Sequence, residues 1–422
     1  MMKFKCLCMF MTFLLMVELT SCSNKKHVSE SAVIVLNESD YLNADVVSTD
    51  ENIIFYKKTA KFSEEYMGVK LKDISHIQKP ENAYIQAVDN NGNIYYCVDG
   101  NDSVDTIAEI MYYNLKSQKL TSLIKPEKMN NCTVVSVNDR YLIWVEDENA
   151  NWQKTSIHLF DLQTKDDVEF YKHTLDPKTN LTYTSFFNSP VMIGDKVYFD
   201  DVVSKDTNDI YKIQVFSYDI KQKKVSKLYD QAKIPMEYKG KLAWLSMSAD
   251  KKNSVFCSDA VRVTGILKSE TRLGTAYTSS GDLIITNDYM SDALFDEIKN
   301  KSKSSKDNFV SFVDTTNDPS ISSYGIKLVT GKQILPILVV ENGFATNVVT
   351  NGNIIGWYGS SIGAPMFYDR TKDKIISIDN LKINKFSGYG ITLSKNYAII
   401  SYSEDTEDAT EQILLWTLNE TE

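Results

Sequence analysis

The chain lacks most of the residue patterns that announce chemistry. No C-x-x-C pair occurs in its 422 residues, so neither a thioredoxin-like redox site nor a zinc knuckle is available. It has no H-E-x-x-H, no P-loop and no dinucleotide fingerprint, which removes the usual zinc-protease and nucleotide readings. Histidine is scarce: His27, His76, His158 and His173. All four precede the G-x-S-x-G match Gly359-Ser360-Ser361-Ile362-Gly363. A nucleophile elbow needs a helix after it and a later His. Here a strand-like run, Met366-Phe367-Tyr368, follows, so the match reads as a small-residue loop. Arginine is limited to Arg140, Arg262, Arg272 and Arg370, the other basic residues being lysine. The net charge is −10. A nucleic-acid binder would be basic, so no nucleic-acid partner is expected.

The N-terminal apolar stretch, Cys6 to Val17, is shorter than the roughly 20 residues a membrane helix needs. Lys3 and Lys5 precede it and Leu19-Thr20-Ser21-Cys22 follows. A basic start, a short apolar core and a small-residue cleavage site make a secretory signal. The last four residues resemble the lipobox of bacterial lipoproteins, which implies that Cys22 is acylated and becomes the mature N-terminus. Residues 1–21 are then a signal peptide and 22–30 a polar flexible tether. Residues 31–422 form the working domain outside the cytoplasmic membrane, and the membrane is met through the lipid. Cys97, Cys132 and Cys257 remain, far apart and odd in number. They read as buried small hydrophobes, with one disulfide among the three left open by the oxidising compartment.

One phrase recurs along this domain. Tyr113-Asn114-Leu115-Lys116-Ser117-Gln118-Lys119 has counterparts starting at Phe160, Tyr218, Ile326 and Tyr368. Each ends an apolar strand, turns on polar residues and enters another strand, a hairpin signal. The copies stand about fifty residues apart except for one gap about twice as long, the spacing of propeller blades. That gap should hide a degenerate copy near Ile266-Leu267-Lys268. Weak copies at Val69-Lys70-Leu71-Lys72 and Leu415-Trp416-Thr417-Leu418 bring the count to eight, with seven the rival. A second marker precedes the phrase: Asn91-Gly92-Asn93, Gly194-Asp195-Lys196, Gly281-Asp282-Leu283 and Asn351-Gly352-Asn353 each open a strand. Such pairs suit tight hairpins because they tolerate positive φ. Each unit therefore reads as strands A, B, C and D of one four-stranded blade, and the fold is an all-β propeller. The last unit lacks strand D, which Ala32-Val33-Ile34-Val35-Leu36 is expected to supply, closing the ring and removing exposed edges. In pattern the domain resembles bacterial propeller lipoproteins and, more loosely, TolB-like and quinoprotein-like propellers. The resemblance carries no functional residue with it.

In such a ring the B–C and D–A connections share one face and the A–B and C–D turns the other. The B–C connections are expected to carry acid: Asp99, Asp102 and Asp105 with Glu109, then Glu146, Asp147 and Glu148, then Asp200, Asp201, Asp206 and Asp209, then Asp405, Glu407 and Asp408 with Glu404. The C–D turns carry lysine, among them Lys116, Lys165, Lys221 and Lys372. This predicts a disc with an acidic face and a basic rim, the acidic loops recognising a protein or peptide of the cell envelope. Asp99 to Asp105 also forms a fair oxygen set for Ca²⁺ but lacks the order of an EF-hand and its distal bidentate Glu. No catalytic residue, resident metal or cofactor is assigned. The alternative is a carbohydrate-active propeller with carboxylates at its channel. Trp152 and Trp357 sit at loop margins, where packing in the core or rim is the expectation and stacking on sugars the alternative. Residues 291–307, with Leu294, Phe295 and Ile298 at helical spacing and a lysine-rich tail, read as an insertion.

Overall fold

The computed structural model describes residues 45–50, 53–57, 72–73, 83–98, 108–126, 131–147, 154–174, 190–205, 211–230, 232–247, 254–258, 265–267, 276–280, 283–289, 324–329, 334–340, 345–359, 364–369, 371, 374–377, 386–404 and 412–418. Among them every regular element is a strand, and the strands form seven antiparallel sheets. The first sheet holds Ala83–Val88, Asn93–Val98, Glu109–Asn114 and Lys119–Ile124, joined in that order as A, B, C and D. The second (Asn131–Val137, Tyr141–Asp147, Lys154–Asp161, Asp167–Thr174) and third (Val191–Ile193, Lys196–Lys205, Tyr211–Asp219, Lys224–Asp230) repeat the order. So do the fourth (Ala232–Tyr238, Lys241–Met247, Ser254–Ser258, Gly265–Leu267) and sixth (Ala345–Thr350, Ile354–Gly359, Ala364–Asp369, Lys374–Ser377).

Two sheets differ. The fifth runs Ala276–Ser280, Leu283–Tyr289, Tyr324–Val329, Ile334–Val340 and then adds the hairpin Ile53–Lys57 and Asp45–Asp50 along its outer edge. The seventh consists of Phe386–Leu393, Tyr397–Glu404, Gln412–Thr417 and, as its fourth strand, Lys72–Asp73 from the other end of the chain. An early segment does close the last sheet, but it is Lys72–Asp73. The segment expected to do so, Ala32 to Leu36, lies outside the described residues. The described residues form seven sheets, so the count of eight is not confirmed. Lys72, the end of the early weak copy at Val69–Lys72, belongs to the seventh sheet. The long gap does hide a unit, the whole fourth sheet, with Gly265–Leu267 as its outer strand.

The sheets stand in a ring. The inner strand of the first sheet lies beside those of the second and seventh. From the third sheet to the seventh, successive inner strands are likewise neighbours. Apolar clusters fill the joints: Tyr95, Cys97 and Ile110 against Cys132, Leu142 and Trp144 between the first two sheets, and Ile399, Ile413 and Leu415 against Ile94 and Tyr96 at the closing joint. This explains why B and C strands such as Asn93–Val98 and Lys154–Asp161 are buried on both faces. A middle strand packs on two neighbouring sheets, whereas an outer strand such as Lys119–Ile124 leaves Lys119 and Ser122 exposed and buries only Ile124 fully.

The recurring phrase has a local cause. Asn114 Oδ1 accepts the backbone N–H groups of Lys116 and Ser117. Asp161 Oδ1 does the same for Gln163 and Thr164, Asp219 for Gln222, and Asp369 for Thr371. Each is an Asx cap, a side chain replacing the backbone acceptors that a tight turn gives up. Four residues later the chain enters the left-handed region, at Gln118 (φ 53°), Lys165 (φ 67°) and Lys223 (φ 52°). The A–B turns are capped likewise, by Asp89, Asn138, Asn351 and Ser394. They also bond to one another: Asn351 Nδ2 donates to Ser394 O, Asn396 Nδ2 to Asn90 O, and Asn90 Nδ2 to Asp139 Oδ1. At the closing joint Gly92 (φ +79°) is pressed so close to Leu115 and Tyr397 that a Cβ would lie 2.8 Å from Leu115 Cδ1.

Candidate functional site

Buried polar groups line the joints on both faces of the second sheet, one set near its B–C end and the other from mid-strand toward the C–D turn. Toward the third sheet, Asp147, Thr155 and His173 are direct cross-strand neighbours, so their side chains share one face. All three are buried. His173 Nδ1 lies 2.7 Å from Asp201 Oδ2 in the third sheet, and Tyr171 OH donates to the same oxygen at 2.5 Å. An ionised carboxylate can only accept, so His173 presents Nδ1–H to it. Burial, followed by the Asp201 charge and hydrogen bond, pushes the Tyr171 hydroxyl pKa well up. Tyr171 therefore stays a donor.

Toward the first sheet, the His158 ring stacks on Trp144 with centroids 4.0 Å apart. Its Nδ1 is 3.0 Å from Asp167 Oδ2, whose other oxygen accepts Trp144 Nε1–H at 2.9 Å. Its Nε2 is 3.5 Å from Glu146 Oε2, a charge contact rather than a good hydrogen bond. Ser156 Oγ donates to Glu169 nearby. Burial pulls the His158 pKa down, but its contacts with Asp167 and Glu146 together outweigh it and hold the value above 6.5.

A third contact joins the third and fourth sheets. Asp200 Oδ2 accepts the backbone N–H of Ile234 at 2.7 Å. Ile234 has φ +54° and sits in the register break between Lys233 and Met236 of an inner strand. A β-branched residue in that region is strained, and the following Pro235 disfavours the conformation further. The buried carboxylate helps hold it.

The structure thus brings together part of the expected acidic set and re-assigns it. Asp147, Asp200 and Asp201 lie in strands Tyr141–Asp147 and Lys196–Lys205, and each is buried. They were expected in exposed loops. Glu146 is partly buried beside His158. Asp99, Asp102, Asp105, Glu148, Asp206, Asp209, Asp405, Glu407 and Asp408 lie outside the described residues, as do Cys22, Trp152 and residues 291–307. Trp357, expected at a loop margin, is a fully buried strand residue. Gly359 ends strand Ile354–Gly359, and strand Ala364–Asp369 follows it. Cys97 and Cys132 are buried free thiols. Among the described residues no group of three or more His, Cys, Asp or Glu is placed to hold a metal ion.

Sequence reasoning missed His158, His173, Tyr171 and Ile234. A signal for the third-sheet acids was present: Asp200-Asp201 is bounded by Phe199 and by Val202-Val203, and apolar residues on both sides argue for a continuing strand. Chemically, the seam is a brace. Asp147 is the last strand residue before connection 148–153, and His173 stands one residue before the end of the strand leading into 175–190. Asp201 is the sixth residue of the ten-residue strand leading into 206–210. The His173–Asp201 pair therefore ties the end of the second sheet's outgoing strand to the middle of the third sheet's B strand across the joint.

No protein-family model matches the chain, and no curated protein matches it. Solved structures resemble it. The propeller domain of the Trilobed protease from Pyrococcus furiosus, described as having an open velcro topology, is 11% identical with a TM-score of 0.47, over 80% of this chain and 94% of that one. Oligogalacturonate lyase from Vibrio parahaemolyticus is 11% identical with a TM-score of 0.45, over 86% and 99%. TolB from Acinetobacter baumannii is 10% identical with a TM-score of 0.34, over 78% and 64%. The propeller assignment rests on this chain's own strand order and ring of contacts.

Proposed function

We propose that this chain is a lipid-anchored extracytoplasmic propeller that binds a cationic protein or peptide through its B–C face. The supporting observation is the brace just described. His173, beside connection 175–190, is tied together with Tyr171 to mid-strand Asp201 across a sheet joint, and the sequence carries Glu148, Asp206, Asp209, Asp405, Glu407 and Asp408 in connections expected on that side. Connections held by a rigid scaffold are where recognition residues are usefully placed. Among the described residues, several of the A–B and C–D turns on the other face are closed by a side-chain cap, at Asp89, Asn114, Asn138, Asp161, Asp219, Asn351, Asp369 and Ser394. Acylation of Cys22 would hold the propeller at the outer surface of the membrane, with residues 23–30 as tether.

The test uses a chain beginning at Ser23, which keeps every described strand. A fluorescent oligolysine peptide is titrated against it and against a variant with those six acids changed to Asn or Gln. Titrations run at about 50 mM and about 300 mM salt, which shortens the screening length by about half. Salt-sensitive binding by the parent, lost in a variant of equal melting temperature, is the expected result. Equal binding by both chains would refute the acidic face. Mass measurement of Cys22 from cells tests the anchor separately.

A further inference from the structure

The turn face has its own concentration of charge. Across the third and fourth sheets it carries Lys196, Lys221, Lys223, Lys224, Lys239 and Lys241, all exposed. The aspartates among them are Asp195, paired with Lys221 at 2.6 Å, and Asp219, occupied as a turn cap. The lysines come together because both turns of the third sheet and the A–B turn of the fourth project from the same side of the ring. Between them lies an open cleft of about 540 Å³, with Ile193, Tyr198 and Leu242 in its lining and Lys196, Lys221 and Lys241 beside them. This cationic patch belongs to a chain whose net charge is −10.

We infer that this patch is a docking surface for an anionic phospholipid bilayer, the lysines meeting lipid phosphates and the B–C face turning outward. Two features favour a bilayer. The turns are short and leave the ring on one side, with Lys196, Lys221 and Lys241 lining a single open cleft, so several lysines can meet one surface together. The rest of the acidic chain is repelled by that surface, which selects this orientation. Each Lys close to an anionic bilayer adds an increment that falls off within a Debye length. The lipid anchor of the proposed function gives the reason the face would meet a membrane. The lysine contact itself is testable without it.

The unlipidated chain from Ser23 is sedimented with vesicles of phosphatidylcholine alone and of phosphatidylcholine with phosphatidylglycerol. The parent is compared with a Lys223→Glu, Lys224→Glu, Lys241→Glu variant and with Lys172→Glu, an exposed residue near the other face. The expected result is salt-sensitive binding to the anionic vesicles only, reduced at least about tenfold in the triple variant and little changed in Lys172→Glu. Equal binding to both vesicle types, no binding to either, or the same loss in both variants would overturn the inference. So would displacement by soluble glycerol phosphate at equal phosphate concentration, which would assign the cleft to a free anion. Because the tested chain carries no lipid, these outcomes leave Cys22 acylation and peptide binding at the B–C face to be judged on their own measurements.

Discussion

His173 Nδ1 and Asp201 Oδ2 lie 2.7 Å apart across the joint between the second and third sheets, both side chains buried. The same carboxylate oxygen takes the Tyr171 hydroxyl. Asp201→Ala leaves the buried His173 and the partly buried Tyr171 without their shared acceptor. It is expected to cost about 2–4 kcal/mol, read as a lower urea midpoint with an unchanged slope. A change below about 0.5 kcal/mol would show that the pair is not a brace.

His158 predicts the pH response of the joint between the first and second sheets. Its folded pKa is raised, so its contribution is fully present below the ordinary value of about 6.5 and is lost as pH rises through the folded value. Melting temperature should fall as pH rises above the ordinary histidine value in the parent, and less in His158→Gln. Parallel profiles for the two would remove His158 as the cause.

Asp200 and Ile234 predict a pair of opposite effects. Asp200→Ala takes away the acceptor of a strained residue's N–H and should destabilise by about 2–3 kcal/mol. Ile234→Gly relieves the backbone strain and should partly restore stability in the double variant. Simple additivity of the two changes would argue against a shared origin.

The turn caps are separable from the core. Asp219→Ala removes the acceptor of the Gln222 N–H and should cost about 1 kcal/mol. Lys165→Gly should stabilise by about 0.5–1 kcal/mol, because glycine adopts φ near +67° without a Cβ penalty. Thermal unfolding of both variants checks the signs, and a destabilised Lys165→Gly would contradict this account of the turn.

Legibility in the sequence followed distance along the chain. The phrase around Asn114, Asp161, Asp219 and Asp369 was visible because its cap and its acceptors lie within a few residues. The Asn91-Gly92 turn was visible because positive φ is a property of one residue. His173–Asp201 and Asp200–Ile234 join residues from neighbouring sheets, and nothing near either partner announces the other. Asp200-Asp201 was misplaced for a related reason: adjacent acids in mid-strand look like loop residues until the partner that tolerates their burial is known.

The sequence by itself determined an all-β chain of strand-and-turn units, the turns' polarity and the lysine-rich C–D positions, since local hydrogen bonding and side-chain alternation write these in contiguous residues. Only the tertiary structure decided that Lys72–Asp73 completes the last sheet and that Asp147, Asp200 and Asp201 are interior. Ring closure and burial depend on which distant edge and which distant donor are brought within hydrogen-bonding reach, and that is settled only when the sheets pack.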